Sequence, residues 1–497
     1  VEARAGLPSS KQLSTRRVSP QRYPLTSGFM MRAFASIAIL LVLAPARGDE
    51  AGSIVGARGG GKTLVSAAGT AGASDLSFAD ATVAVFGGTG IEGTAGSSDA
   101  DLLDEIIAAM GPGKDTDFFQ QRTTEHLPDT RMSLAPILAA LPRNAEGKFD
   151  RSAVRYALHH YFLRSYAWRL QGLDPVASLW NSSSPSAAQV FHRLPVNVRD
   201  VIEKRLSSSG LDSNGVVALA VTLWRLIHNE GTNRLRLVYK LANTPEQEPI
   251  SESDAQVKVD LYMAAYISGL DLTKIDQSKL MRYYRRMDKA TSKWHEVQAF
   301  TRSNVKAAGA RSATPGLFEF HDVARIVETI EERFGHWQMT ECNEFKEALV
   351  PMEDQGTGRV RIGDFYKAGL NERWQFSESV EYLRDLGALD ETSPGNKRVI
   401  IVNYITGASN CFGTTKYHEV CCISECESLL AHLERQFAAP SVSPEDIATV
   451  VAAMPSATVP APRTLSNVLL HRLQVIAANN GGLVPLAGRL FAQWMHH

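Results

Sequence analysis

Val216-Val-Ala-Leu219-Ala220-Val-Thr-Leu223-Trp-Arg-Leu226-Ile227 sets an apolar side chain at every third or fourth position. Val216, Leu219, Ala220, Leu223, Leu226 and Ile227 therefore share one face of a helix with 3.6 residues per turn, whereas a strand would split them between two faces. Val323, Ile326, Val327, Ile330 and Phe334 repeat the pattern about a hundred residues later. Both stretches predict helices that turn a stripe toward a core. Working outward, helical spacing returns around Val154, Leu158, Tyr161 and Phe162, and again around Leu429, Leu430, Leu433 and Phe437. One run reads differently: Arg398-Val-Ile-Ile-Val-Asn-Tyr404 follows the turn Ser393-Pro-Gly-Asn396 and is β-branched, which predicts a strand. The expected fold class is mainly α, a multi-domain helical protein with a minor β element near 398–404.

Composition bounds the rest. With 497 residues, 44% of them apolar, the chain can bury a large core without a disulfide framework, and five cysteines are too few for one. Residues 33–44, Ala33-Phe-Ala-Ser-Ile-Ala-Ile-Leu-Leu-Val-Leu-Ala44, follow Met30-Met-Arg32 and end at Ala46-Arg-Gly48. A positive charge, a short apolar run and a small-residue cleavage site, in that order, make a secretory signal. The run is shorter than the roughly 20 residues a membrane-spanning helix needs. We therefore expect translation to start at Met30 or Met31 behind a leader, a mature chain from near Asp49, and no transmembrane span in it. Residues 1–48 hold seven of the 52 Lys and Arg but one of the 53 Asp and Glu, so the remainder is mildly acidic. That argues against nucleic acid as a partner, since phosphate binding rests on a basic footprint.

The expected organisation is a leader and signal over 1–48, then a flexible Gly-, Ala- and Ser-rich tether over 49–100, whose composition cannot offset its ordering entropy. An N-terminal helical domain over 101–306 and a C-terminal helical domain over 317–497 follow. The boundary is set at Ala307-Ala-Gly-Ala-Arg-Ser-Ala-Thr-Pro-Gly316, which has no apolar periodicity. Two glycine patterns sit in or near the tether. Gly56-Ala-Arg-Gly-Gly-Gly61-Lys62-Thr63 matches a P-loop formula, and Gly88-Thr-Gly90-Ile-Glu-Gly93 a dinucleotide fingerprint. Each needs a strand before it and a helix opening directly after it to present backbone N–H groups to phosphate. The first has no such strand, and Thr94–Ala100 separates the second from its helix, so neither predicts a nucleotide site.

The stronger pattern spans 342–368. A helix is followed by Glu353-Asp-Gln355-Gly-Thr357-Gly358-Arg359-Val360-Arg361-Ile-Gly-Asp364-Phe365, with Gly at the sixth loop position, a β-branched residue two later and an acid-Phe pair opening a new helix. This resembles an EF-hand. Glu353 takes the first ligand position, Gln355 the third, Thr357 the fifth, Arg359 the backbone position, Arg361 the ninth and Asp364 the twelfth. Calcium wants about seven oxygens, usually with Asp first and a bidentate Glu last. A longer acid first, a short one last and a cation at the ninth predict weak calcium binding or none. Pro142-Arg-Asn-Ala-Glu-Gly147-Lys-Phe149 and Asn479-Asn-Gly-Gly482-Leu-Val484 echo the outline without the ligands. So simple a shape does not establish a repeat.

On a helix after Ile423, Cys422, Cys426, Leu429, Leu430, Leu433 and Phe437 would share a face, with Cys421 about 100° away. This favours a Cys411–Cys421 disulfide, with Cys422 and Cys426 buried as small apolar side chains and Cys411–Cys422 as the near alternative. Zinc held by His418, Cys421, Cys422 and Cys426 would need four ligands from one turn of chain, unlike the usual spacing. His159 and His160 fall off the apolar stripe of their helix, which predicts solvated side chains, and His228 and His321 stand in no ligand spacing. Asn181-Ser-Ser183 is a glycosylation sequon that gains meaning from the signal.

Ala153-Val-Arg-Tyr-Ala-Leu-His-His-Tyr-Phe162, Leu179-Trp-Asn-Ser-Ser-Ser-Pro185, Gly358-Arg-Val-Arg-Ile-Gly-Asp-Phe-Tyr366, Trp374-Gln-Phe-Ser-Glu-Ser379, Cys421-Cys-Ile-Ser-Glu-Cys426 and Gly488-Arg-Leu-Phe-Ala-Gln-Trp494 resemble large secreted or lumenal EF-hand-like proteins of protist algae of the dinoflagellate type. The resemblance spans most of 130–497. It implies a lumenal location, or a plastid reached by the secretory route, and transfers no catalytic residue. The expected role is that of a structural or interaction protein with a protein partner and a degenerate calcium motif. Two alternatives are a metal-dependent enzyme whose ligands are scattered in sequence, and a calcium sensor.

Overall fold

Asp212 opens the helix that the first apolar stripe demands, its carboxylate accepting the Gly215 N–H at 2.7 Å. The helix runs Ser213–Leu241, and every residue of the stripe is buried. The second stripe lies in Phe320–Leu349, which a capping box between Glu319 and Asp322 begins. The computed structural model describes residues 116–170, 172–173, 196–208, 210–290, 293–311, 316–354, 357–368, 376–393, 395–407, 410–411, 415–455 and 461–495. The signal, the tether with both glycine patterns, Asn181 and Gln355 lie outside the described residues.

The chain is mainly helical. In order come α1 (Thr116–Ala139), α2 (Arg151–Tyr166), α3 (Val196–Ser208), α4 (Ser213–Leu241), α5 (Glu252–Ile267), α6 (Gln277–Tyr284), α7 (Met287–Ala290) and α8 (Trp294–Gly309). Then follow α9 (Phe320–Leu349), α10 (Ile362–Ala368), α11 (Val380–Asp385), α12 (Ile401–Ile405), α13 (Glu425–Phe437), α14 (Pro444–Ala453), α15 (Asn467–Ala478) and α16 (Arg489–Met495). No helix among the described residues is long and apolar enough to cross a membrane.

The helices are organised by a repeated device. One helix ends, a loop follows, one apolar residue enters an antiparallel bridge, and the next helix begins. The bridging residues pair as Phe149 with Leu211, Ile250 with Phe318, Val360 with Val399 and Val442 with Val484, and all eight are buried. In the first seven units the next helix starts two residues after the bridge. The residue between often caps it: Asp150, Asp212, Ser251 and Ser443 each accept a first-turn backbone N–H. Gly147, Gly316, Gly358 and Gly482 stand two residues before a bridge, all with positive φ, a turn that side chains with a Cβ resist. The echoes at Gly147 and Gly482 are thus members of a repeat, contrary to expectation. Single-loop reading missed it because the partner of each loop lies tens of residues away.

The β element expected near 398–404 is present as Arg398–Ile400, the middle strand of a three-stranded antiparallel sheet with Arg359–Arg361 and Leu389–Asp390. Past Ile400 the ladder runs out. The run then coils into α12, where Ile401, Tyr404 and Ile405 bury one helical face.

Packing continues across 307–316, because Val305, Phe318 and Val323 belong to one core and Ile250 pairs with Phe318. It changes partners within α9. Phe334 is that helix's last buried member of the first core, with Trp337 packed against it, while Cys342 and Phe345 open a second with Phe365, Phe376 and Tyr404. A third core gathers Leu433, Ile447, Leu473, Phe491 and Trp494. His159 and His160 are buried, not solvated. Their helix α2 packs against α1, α4, α9 and α13, so it has no wet face on which to keep them.

Candidate functional site

Three places bring chemistry-bearing side chains together. The first is the loop pair of the EF-hand-like unit. Glu353 accepts the backbone N–H of Gly358, and Thr357 donates its hydroxyl to the Asp354 carbonyl at 2.6 Å. The Arg359 Nη1 donates to the Thr357 carbonyl at 2.7 Å, and its Nε lies 2.9 Å from Asp390. Arg361 pairs with Asp354 at 3.0 Å, Arg398 with Asp390 at 3.0 Å, and Asp364 with Lys367 at 3.1 Å. Burial disfavours the charge on Asp390, yet hydrogen bonds from Thr392 and the charges of Arg359 and Arg398 hold its pKa below the ordinary value. Asp354, Asp364 and Asp390 therefore already face cations of the protein's own, and Glu353 is held by a backbone N–H. Of the five expected ligands described or not, Glu353, Thr357, Arg359 and Asp364 are turned to these partners, and Gln355 is outside the described residues.

The second place is the cysteine region. Cys411 is bonded to Cys421, as expected. Cys422 is bonded to Cys342 across 80 residues, which corrects its reading as a buried thiol. Because α13 starts only at Glu425, Cys422 precedes the helix and turns toward Cys342 on α9 instead of sharing a helical face with Cys426. Cys426 is in neither disulfide and is half-buried, its thiol donating to the Met495 carbonyl at 3.8 Å. His418 is fully engaged, 3.0 Å from the Tyr266 hydroxyl through Nε2 and 3.0 Å from Thr415 through Nδ1. With both neighbouring cysteines oxidised, the zinc quartet is not assembled.

The third place was not visible in the sequence. Helices α4 and α9 pack side by side, and between them His228 meets Glu328, Glu331 and Glu332. His228 is 4% exposed, with Nδ1 3.3 Å from Glu331 and Nε2 3.5 Å from Glu332. Glu331 also accepts the Tyr262 hydroxyl and lies 3.8 Å from Arg234. Trp224 donates its indole N–H to Glu332 at 2.9 Å, and Arg122 reaches Glu328 at 2.8 Å from α1. Burial works to discharge His228, but the two carboxylates outweigh it and push its pKa up to about 10. Burial, helped by the charges of His228 and Arg122, holds His126, stacked on Trp224, below its ordinary value despite nearby Glu332. Three acids thus stand against Arg122, Arg234 and an imidazolium in a largely dry interior.

Two signals could have pointed here. Glu331 falls inside the apolar stripe of α9, four residues after Val327 and three before Phe334, where an acid needs a partner. Gly231 interrupts α4, and a Cβ there would stand 2.7 Å from the Glu331 carboxylate. A smaller network joins α2 to α13: Glu427 lies 2.7 Å from His160 and 3.1 Å from Arg164, which also pairs with Glu434. Seen beside known proteins, the chain stands apart: no family model, curated protein or solved structure matches it at a significant level.

Proposed function

We propose that the protein is a calcium-independent scaffold of the secretory route, whose paired helix-loop-helix units hold surfaces for a protein partner. The observation that carries this reading is the engagement of cation-seeking oxygens by the protein's own groups: Arg359, Arg361 and Arg398 pair with Asp354 and Asp390 of the third pair, and Glu353 accepts the Gly358 backbone N–H. A loop closed by its own guanidinium groups gains little from calcium and has no ion to lose. Two disulfides support an oxidising compartment. Among the described residues nine large apolar side chains are exposed, and four of them, Val468, Val475, Leu483 and Leu490, gather in the last pair, which supports a partner-facing role there.

Calorimetric titration of the whole chain with calcium, to about 1 mM, tests the first half. The expected result is no saturable heat and an unchanged melting temperature; a saturable site abolished by Glu353→Gln sinks the reading and restores the sensor. Route and partner are tested in cells. Glycosidase treatment is expected to shift the mobility of the wild-type chain and not of Asn181→Gln, while Val468→Asp with Val475→Asp is expected to lose a cross-linked partner without losing the fold.

A further inference from the structure

We propose that His228, Glu328 and Glu332 form a binding site for a first-row divalent transition metal ion, seated between α4 and α9 on the side of Arg122. One ligand atom from each of the three lies within 4.8 Å of the others. The 3.5 Å between His228 Nε2 and Glu332 is poor as a hydrogen bond. It matches the roughly 3.4 Å edge of a tetrahedron whose centre is about 2.1 Å from each nitrogen or oxygen. Glu328 and Glu332 stand four residues apart on α9, so both carboxylates project from one face toward the ring.

The second observation concerns the ring itself. His228 is buried, and neither of its nitrogens makes a hydrogen bond of good geometry. Both nitrogens of this buried imidazole are aimed at carboxylates, at 3.3 and 3.5 Å, in ion pairs too poorly aligned to be good hydrogen bonds. Glu331 has the place of an orienting group: it faces Nδ1, while Tyr262 and Arg234 hold it from the other side. That leaves Nε2 for the ion. Arg122 engages Glu328 through Oε1 alone, with Nε at 3.2 Å and Nη2 at 2.8 Å, and its Nη1 also reaches exposed Glu125 at 3.1 Å. When the ion enters, His228 releases its proton to solvent and Arg122 keeps Glu125. One imidazole with two carboxylates suits zinc, iron(II) or manganese better than calcium, which takes oxygen alone.

The inference is independent of the scaffold reading, and its test uses the whole chain stripped of metal. Cobalt(II) is titrated in while visible absorption is followed. One equivalent with intense ligand-field bands is expected, lost in His228→Gln and Glu332→Gln and unchanged in Glu353→Gln. Glu331→Gln, a positioning change, is expected to weaken affinity about 10- to 100-fold without altering stoichiometry. Circular dichroism shows which variants fold. Should the ligand variants unfold, manganese(II) in the wild-type chain is expected to show imidazole nitrogen coupling by pulsed electron paramagnetic resonance. No cobalt binding by the folded wild type, cobalt binding that survives in folded His228→Gln, or manganese without nitrogen coupling overturns the proposal.

Discussion

Gly335 shows how a single side chain's absence can decide packing. A Cβ there would lie 2.2 Å from the Tyr166 carbonyl and 2.6 Å from the Ala167 Cβ, where the end of α2 crosses α9. Backbone cannot retreat as a side-chain tip can, so Gly335→Ala should cost on the order of 3 kcal/mol. Denaturant melts measure it, and an unchanged midpoint would mean that the crossing yields. At Glu427 the deciding quantity is charge. Burial alone would raise its pKa, but His160 and Arg164 outweigh burial and hold it at about 2, below an ordinary value of 4.5. Its contribution is thus complete above pH 4.5 and fades as pH falls toward 2, a loss on the order of 3 kcal/mol. Stability measured between pH 5 and pH 2.5 should fall more steeply in the wild type than in Glu427→Gln; equal slopes would assign the acid sensitivity to other groups. Neither residue announces itself in the sequence, since a helical glycine and a helical acid are ordinary until the crossing helix is known.

Among elements, the bridging loops and the disulfides divide the labour. Gly358 has φ +69° with nothing within 4 Å of where a Cβ would sit, so Gly358→Ala is a backbone cost alone, about 1 kcal/mol. Gly147, at φ +74° and equally open, should cost the same. Unequal losses in thermal melts would mean that the repeat is not mechanically uniform. By chain entropy, the bond from Cys342 to Cys422 closes the longer loop and should stabilise by about 4 kcal/mol, against about 3 for Cys411 to Cys421. Replacing each pair with alanines and comparing denaturation midpoints tests the order. The helices of this plan were legible, because the stripes on α4 and α9 follow from spacing alone. The turn from strand to helix after Ile400 was not, since β-branched residues satisfy either state and the choice rests on where Val360 and Leu389 stop pairing with Val399. Likewise the Cys411 partner could be read from local geometry, whereas that of Cys422 lies 80 residues upstream and leaves no local trace.

Across the molecule, three cores share one chain, and the second contains both Cys342 and Cys422. Calorimetry should therefore show a reductant-sensitive transition that moves down with dithiothreitol and a larger one that stays; if reduction shifts all transitions equally, the cores unfold as one. The site between α4 and α9 belongs to this scale. Its members come from residues 122 to 332, and only the packing of long helices makes neighbours of them, so sequence spacing holds no record of the cluster. Those same two helices each serve twice, closing one bridged pair and opening the next without a break. At 29 and 30 residues they are rods of about 45 Å. A rod common to two joints works as an axle, with the bridges of Leu211 and Ile250 at the two ends of α4 and those of Phe318 and Val360 at the two ends of α9.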